Sequence, residues 1–499
     1  MSSLGAYVRL FGAGWTLVRN DALLPRELDA YYSPMVRLAA NSLRLFATRR
    51  SGRPGERLAR SLEGLGPVAI KLGQLLSTRG DIFGRQFAED MGHLKDRLPP
   101  FPMPEARALI AQELGRPADE IFVGLSAPVA AASLAQAHEA ALPDGRRVAV
   151  KVLRPGIERR VAADSAVLEL AARLIERIAA PLRRLEPVKF AQTVVRATEL
   201  ELDLRLEAAG ADELAEVMAR DGYMSAPKVL WEGVGKRVLT MEWADGMPLS
   251  DEAALSQPGL DRKALADNLT RAFLAQALDH GVFHADLHEG NLFAAAPAKL
   301  TAVDFGIVGR LGPVERRYLA EILWGFLQRD YPRVAQVHFD AGYVPRKHSV
   351  AAFAQALRAV GEPVFGQKAN AVAMSRVLTQ LFEITALYDM HLRPELVLLQ
   401  KTMMTVEGVA RRIDPEHDIW AASEPVVRRW IARELSPVSR VKQFAAEAET
   451  ALRNIARMAA EPQPAVVVEA EPERPAALLW FALGAAVAGA AFLAGMWLG

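Results

Sequence analysis

The sequence predicts an α+β protein in which a small antiparallel sheet is set between long helical stretches, ending in one membrane-spanning helix. Three observations carry this. Helical periodicity dominates residues 20–125 and returns from residue 260 onward. Residues 129–155 read instead as two short apolar segments joined by Asp144-Gly145, a pair suited to a hairpin turn that visits positive φ. Ala476–Gly499 holds no charged residue. The chain of 499 residues is long enough for two to four domains, at about 100–200 residues each. It has no cysteine, which excludes a disulfide scaffold, a thiolate zinc site and a cysteine nucleophile. Lysine plus arginine (60) balance aspartate plus glutamate (59), which argues against nucleic acid as a partner. Half the residues are hydrophobic (51%) but only 7% are aromatic, as an alanine-rich helical body with a local membrane element would give.

The N-terminal run LGAYVRLFGAGWTLV is interrupted by Arg9, which argues against a cleaved signal peptide and for an amphipathic helix lying on a membrane or on the body. Gly66-Pro67 and the Pro-rich break at residues 99–104 punctuate the helices that follow. After the hairpin comes a long charged helix, then KRVLTMEWADG, a strand running into a glycine turn. At the C-terminal end, Glu461–Pro475 is a Pro- and Glu-rich linker. The following 24 residues span roughly 36 Å as a helix, room for one tilted crossing of a core about 30 Å thick but not two. Trp480 and Trp497 would sit at its interfaces. Arg453, Arg457 and Arg474 precede it and no charge follows, which favours a cytoplasmic body. Gly484, Ala485, Ala488 and Gly489 have small-xxx-small spacings, a weak signal for a homodimer.

Four elements converge on nucleotide phosphate chemistry. Val148-Ala149-Val150-Lys151 ends a strand in a lysine with apolar neighbours, a cation that needs a phosphate or a paired carboxylate. In FHADLHEGN, Asp286 and Asn291 stand five apart, the separation found in the catalytic loop of protein-kinase-like enzymes. Val303-Asp304-Phe305-Gly306 delivers Asp304 to a turn 18 residues further on, where a carboxylate can bridge a metal to the β- and γ-phosphates. The fourth is ATELELDLRLEAAG, read as one acidic helix with Glu199, Asp203 and Glu207 on a common face, whose repulsion asks for cations opposite. In a kinase-like fold, Glu207 would pair with Lys151. A rival reading makes His280, His284 and His288 zinc ligands on one helix face; Ala285 after His284 and the flanking Gly281 and Gly290 argue against it.

These residues identify the chain as resembling the UbiB family of atypical, protein-kinase-like proteins linked to ubiquinone biosynthesis. The match runs from about residue 60 to 310. Its most specific motif is Lys71-Leu72-Gly73-Gln74, and Ala130-Ala131-Ala132-Ser133 stands where conventional kinases have a glycine-rich phosphate loop. Glu201-Leu202-Asp203 matches the family's acidic pair. The resemblance implies a bilobal kinase-like core with a helical extension packed over the active site. Residues 1–59 form an N-terminal helical region, 60–125 that extension, 126–245 an N-lobe, 246–435 a helical C-lobe, 436–474 a helix and linker, and 475–499 the span. It also implies Asp286 as catalytic carboxylate, Lys151 and Glu207 as its helpers, and Ala130–Ser133 with Lys151 around ATP or ADP. Asn291 and Asp304 would hold Mg²⁺, and Lys71 and Gln74 would gate the site against Glu201 or Asp203. Leu287 and Glu289 depart from the family's prolines, and two C-terminal spans, frequent in the family, do not fit here. Past Gly306 the chain enters a helix with no long activation segment and no Ala-Pro-Glu triplet, which disfavours a protein kinase. The expectation is a bacterial inner-membrane ATPase or small-molecule kinase, handling a membrane lipid or quinone precursor beside other quinone-biosynthesis proteins. A non-catalytic nucleotide-dependent scaffold is the alternative.

Overall fold

Four antiparallel strands, β1 (Pro128–Ala131), β2 (Ala135–Ala141), β3 (Arg147–Leu153) and β4 (Val238–Glu242), form the main sheet in that order. The computed structural model describes residues 3–23, 34–48, 51–77, 85–92, 94, 99–178, 186–365, 384, 387–390 and 394–434. Val148, Val150 and Val152 of β3 are fully buried against Leu109, Ile110 and Phe122. Strand alternation therefore turns Lys151 to the opposite face. The hairpin between β2 and β3 is closed by Leu142–Arg146: Gly145 has φ of 88°, and Asp144 accepts the Arg146 N–H at 3.0 Å. A tight turn closed by the Ala132 N–H donating to the Ala135 carbonyl at 2.8 Å makes the alanine segment a strand of its own, so the sheet has one strand more than the two apolar runs and the KRVLTMEW strand suggest.

Ahead of the sheet lie α1 (Ser3–Arg19), α2 (Pro34–Arg44), α3 (Pro54–Glu63), α4 (Pro67–Ser77), α5 (Arg85–Gly92), α6 (Met103–Leu114) and the single turn α7 (Ala118–Ile121). The prolines at the starts of α3 and α4 have no N–H to lose there. α3, α4 and α5 enclose Leu62, Ile70, Met91 and Leu94. A Cβ on Gly73 would lie 2.3 Å from Leu94 Cδ1 and 3.0 Å from Leu62 Cδ1, so glycine lets α4 settle onto this core.

Between β3 and β4 run α8 (Ile157–Ile178), α9 (Pro187–Leu200) and α10 (Leu204–Asp221). The acidic stretch is not one helix. It breaks at Glu201–Asp203, where Asp203 adopts an extended conformation and caps α10 by accepting the Arg205 N–H. Glu199 therefore closes α9 on an exposed face beside Arg196, while Glu207 opens α10.

The helical half begins with α11 (Arg262–Ala275), which runs into a π-turn at Gln276–His280. Two short antiparallel sheets accompany it: β5 (Met247–Pro248), which precedes α11, with β7 (Leu292–Ala295) and β8 (Lys299–Ala302) in one, β6 (Val282–His284) and β9 (Val308–Arg310) in the other. α12 (Pro313–Leu327), α13 (Tyr331–Asp340), α14 (Val350–Phe365), α15 (Pro394–Ile413) and α16 (Ile419–Glu434) complete it, with a core around Tyr331, Val334 and Phe353. The described residues up to Arg433 belong to one compact unit. No helix among the described residues is long and apolar enough to cross a membrane. The linker, the expected span and its small-residue spacings lie outside the described residues.

Candidate active site

Lys151 Nζ lies 2.7 Å from Glu207 Oε1 and 3.2 Å from Asp304 Oδ1, joining residues 56 and 153 positions away along the chain. Glu207 stands in the first turn of α10, which Asp203 caps. One turn on, a Cβ at Gly210 would lie 3.0 Å from Val308 Cγ2 and 3.8 Å from the Phe305 carbonyl oxygen; glycine lets α10 come this close to the segment after Asp304. Asp304 itself has φ of 61°, in the left-handed region that aspartate tolerates better than most residues. Phe305 is buried against the His284 ring, with centroids 5.1 Å apart, and anchors the turn from below.

The charges form one coupled group. Burial opposes the Lys151 ammonium, but Asp304 and Glu207 outweigh it and hold Lys151 above its ordinary pKa. The same ammonium brings the Asp304 carboxyl down to about 2. Burial pushes Glu207 up to about 7 against the pull of Lys151. Glu207 and Lys151 side chains are 10% and 24% exposed and Asp304 52%, so Asp304 is the member that looks outward.

A buried histidine organises the loop carrying Asp286. His284 Nδ1 accepts the Asp286 backbone N–H at 3.1 Å, and Nε2 donates to the Val303 carbonyl at 3.1 Å. Burial lowers its pKa, and these two partners suit the neutral ring with its proton on Nε2. One ring thus ties the Asp286 loop to the residue preceding Asp304. Asn291, also buried, donates from Nδ2 to the Asp286 carbonyl at 3.0 Å and accepts the Val303 N–H on its own carbonyl. Where the family has prolines, Leu287 is fully buried and Glu289 is ion-paired with Arg412, so packing and charge hold this loop. Thr402 of α15 donates to the Ala285 carbonyl at 3.2 Å.

Lys71 of α4 is buried and pairs with Glu201, whose carboxyl is raised by burial against that lysine and feels Asp304 and Lys151 in turn. Asp203 does not join this pair. Its carboxylate is spent on the cap and on Arg205, at 2.9 and 2.6 Å, so of the two carboxylates expected to face Lys71 only Glu201 does. The Gln74 side chain makes no hydrogen bond among the described residues. Ala130 is exposed at the edge of β1, Ala131 and Ala132 are half-buried and Ser133 is buried. Arg154 donates to the Ala132 carbonyl from Nε (2.9 Å) and Nη2 (2.7 Å) and to the Pro99 carbonyl from Nη1 (2.9 Å), its guanidinium 5.8 Å from the Phe101 ring centroid. The three histidines part company: His280 contacts Asp221, His284 lies on β6, and His288 caps the turn Glu289–Asn291 by accepting the Gly290 N–H. No group of metal-binding histidines or carboxylates occurs among the described residues.

Sequence reasoning missed Arg154, Gly210, His284 as an organiser, and Thr402. Each acts on at least one partner distant in the chain: Arg154 on Pro99, Gly210 on Val308, His284 on Val303 and Thr402 on Ala285. The Asn291 amide oxygen accepts no hydrogen bond from the described residues, and an amide oxygen and the Asp304 carboxylate are hard oxygen donors, whose chemistry fits Mg²⁺. Lys151 beside it suits phosphate.

Residues 93–338 match the ABC1 atypical kinase-like domain and residues 357–418 the UbiB helical domain. The chain is 38% identical over 444 residues to a protein of Marinobacter nauticus named "Probable protein kinase UbiB", covering 87% of this chain and 81% of that one. It is 38% identical over 427 residues to the protein of the same name from Azotobacter vinelandii, covering 82% and 80%. The fold resembles that of Rv3197 from Mycobacterium tuberculosis, solved with erythromycin, with a TM-score of 0.53, 24% identity and coverage of 80% of this chain and 97% of the other.

Proposed function

The chain belongs to the UbiB family of atypical kinase-like proteins, and on that premise we propose that it is a Mg²⁺-dependent enzyme of ATP, acting as an ATPase or small-molecule kinase in support of ubiquinone biosynthesis. The observation that carries the reading is the Lys151 ammonium set between Glu207 and Asp304, within the same fold that holds Asp286 and Asn291 together. Lys151 binds the α- and β-phosphates, kept charged and aimed by Glu207. Asn291 and Asp304 hold the metal. When bound, Mg²⁺ supplies positive charge against the phosphate oxygens. Asp286 orients water or an acceptor hydroxyl and accepts its proton, with His284 fixing the backbone from which it projects. Ala132, clamped by Arg154, holds the alanine-rich loop over the nucleotide with less backbone freedom than glycine has. ADP would occupy the same place after transfer.

The pairing of Lys71 with Glu201 supports a gating role for α4, since Glu201 lies within electrostatic reach of Lys151 and Asp304. The apolar segment Ala476–Gly499 supports anchoring to the bacterial inner membrane with the body cytoplasmic, and so a membrane lipid or quinone precursor as the molecule handled. Ubiquinone enters through the name that the relatives carry. The test is Mg²⁺-dependent ATP turnover by the full chain in lipid vesicles. Asp304→Asn should lose about a hundredfold or more, as the removal of one charge-stabilising group does in other active sites. Undiminished turnover in that variant would overturn the metal assignment, and nucleotide binding with no turnover in the unaltered protein would favour the scaffold.

A further inference from the structure

We infer that Lys401 is a second phosphate-binding cation, meeting the terminal phosphoryl group of ATP from the side of the Asp286 loop, across the site from Lys151. The inference rests on the nucleotide reading above. Lys401 lies on α15, which is pinned to the Asp286 loop at two places: Thr402 donates to the carbonyl of Ala285, the residue before Asp286, and Arg412 pairs with Glu289. These two contacts hold the stretch of α15 that carries Lys401 against the Asp286 loop.

Its ammonium lies within electrostatic reach of both the Asp286 loop and α4. Burial lowers the Lys401 pKa, while Asp286 attracts its charge and Lys71 of α4 repels it. Lys151 and Lys71 are each matched by carboxylates, Lys151 by Glu207 and Asp304 and Lys71 by Glu201. Lys401 makes no ion pair and no side-chain hydrogen bond among the described residues. A half-buried ammonium left in this state is costly unless an anion comes to it.

The loop opposite explains which anion. His284–Asn291 contains no lysine or arginine, and its exposed histidine, His288, is 3.8 Å from Asp286 Oδ2. A phosphoryl group brought up to Asp286 would meet carboxylate from this loop and no permanent cation. Lys401 supplies the missing charge at the point where the terminal phosphate must lie if Asp286 is to orient the group attacking it. Lys151, on the sheet, attends to the inner phosphates. Lys401 is therefore the residue by which the site tells ATP from ADP.

The affinities of MgATP and MgADP for the full chain test this. Lys401→Met should weaken MgATP about tenfold or more, the loss of one charge-assisted hydrogen bond, and leave MgADP unchanged. Lys401→Arg should restore most of the difference. Equal effects on both nucleotides, or none, would overturn the inference. A measurement on the unaltered protein removes any dependence on folding of the variants: amine labelling of Lys401 should be slowed by MgATP and not by MgADP, whereas Lys151 should be protected by both. Protection of Lys151 alone would sink Lys401 and leave the nucleotide site standing; protection of neither lysine would sink both.

Discussion

Glu407 shows how strongly burial acts on a single residue of this protein. It lies on α15 with its side chain 7% exposed, and burial lifts its carboxyl to about 7 although Arg411 Nε is 3.0 Å away. A carboxyl raised in the folded state favours folding fully below its unfolded value, near 4.5, and that contribution is lost as pH rises through about 7. Glu407→Gln does not titrate. Its unfolding midpoint should rise relative to the parent protein between pH 4.5 and 7 and hold that gain above, a difference on the order of 3 kcal/mol. Parallel midpoints across that range would show that Glu407 is not held protonated. Asp304 has the opposite sign: the Lys151 ammonium depresses it to about 2, so its contribution is present above its ordinary 3.8 and is lost as pH falls toward 2. Neutral pH therefore keeps Asp304 ionised for a metal.

Among the elements, the β1–β2 connection depends most on one outside residue. Three hydrogen bonds from Arg154 fix Ala132 and Pro99, and the backbone between β1 and β2 is the piece that would cover a nucleotide. Arg154→Ala should lower nucleotide affinity about tenfold through a loosened loop, while unfolding free energy falls by only about 1–3 kcal/mol. Lys at this position would keep a charge but not the planar fork that reaches two carbonyls, so it should not rescue binding. An affinity unchanged in Arg154→Ala would remove the loop from the site. The break between α9 and α10 belongs to this scale too. Without it, Glu201 and Glu207 would sit on a continuous helix; with it, one carboxylate turns to Lys71 and the other to Lys151.

Over the whole molecule, Lys151 of the sheet meets Glu207 of α10 and Asp304 of the helical half, so this charge cluster exists only when both halves of the body are assembled. The apolar C-terminal segment makes a separate prediction. Removal of residues 476–499 should move the protein from the membrane fraction to the supernatant while the body still binds MgADP; retention at the membrane would transfer the anchoring role to another surface, with Tyr7, Val8 and Phe11 exposed on α1 as the first place to look.

Much of this was legible from residue types and spacing. Lys151 is marked by the apolar strand before it, Asp286 and Asn291 by their separation, and Asp304 by the turn that follows it. These signals are local, because a strand end or a tight turn is built by neighbours in sequence. The split of the acidic stretch was also encoded, in Asp203 as a helix cap, but alternating leucines and acids obscured it. What tertiary structure alone decided is which charge meets which: Glu201 with Lys71, Glu207 with Lys151, and Asp203 with neither. A charge is visible in a sequence, but its partner is chosen by which elements pack and how closely, and here Gly210 sets the approach of α10 to the segment after Asp304.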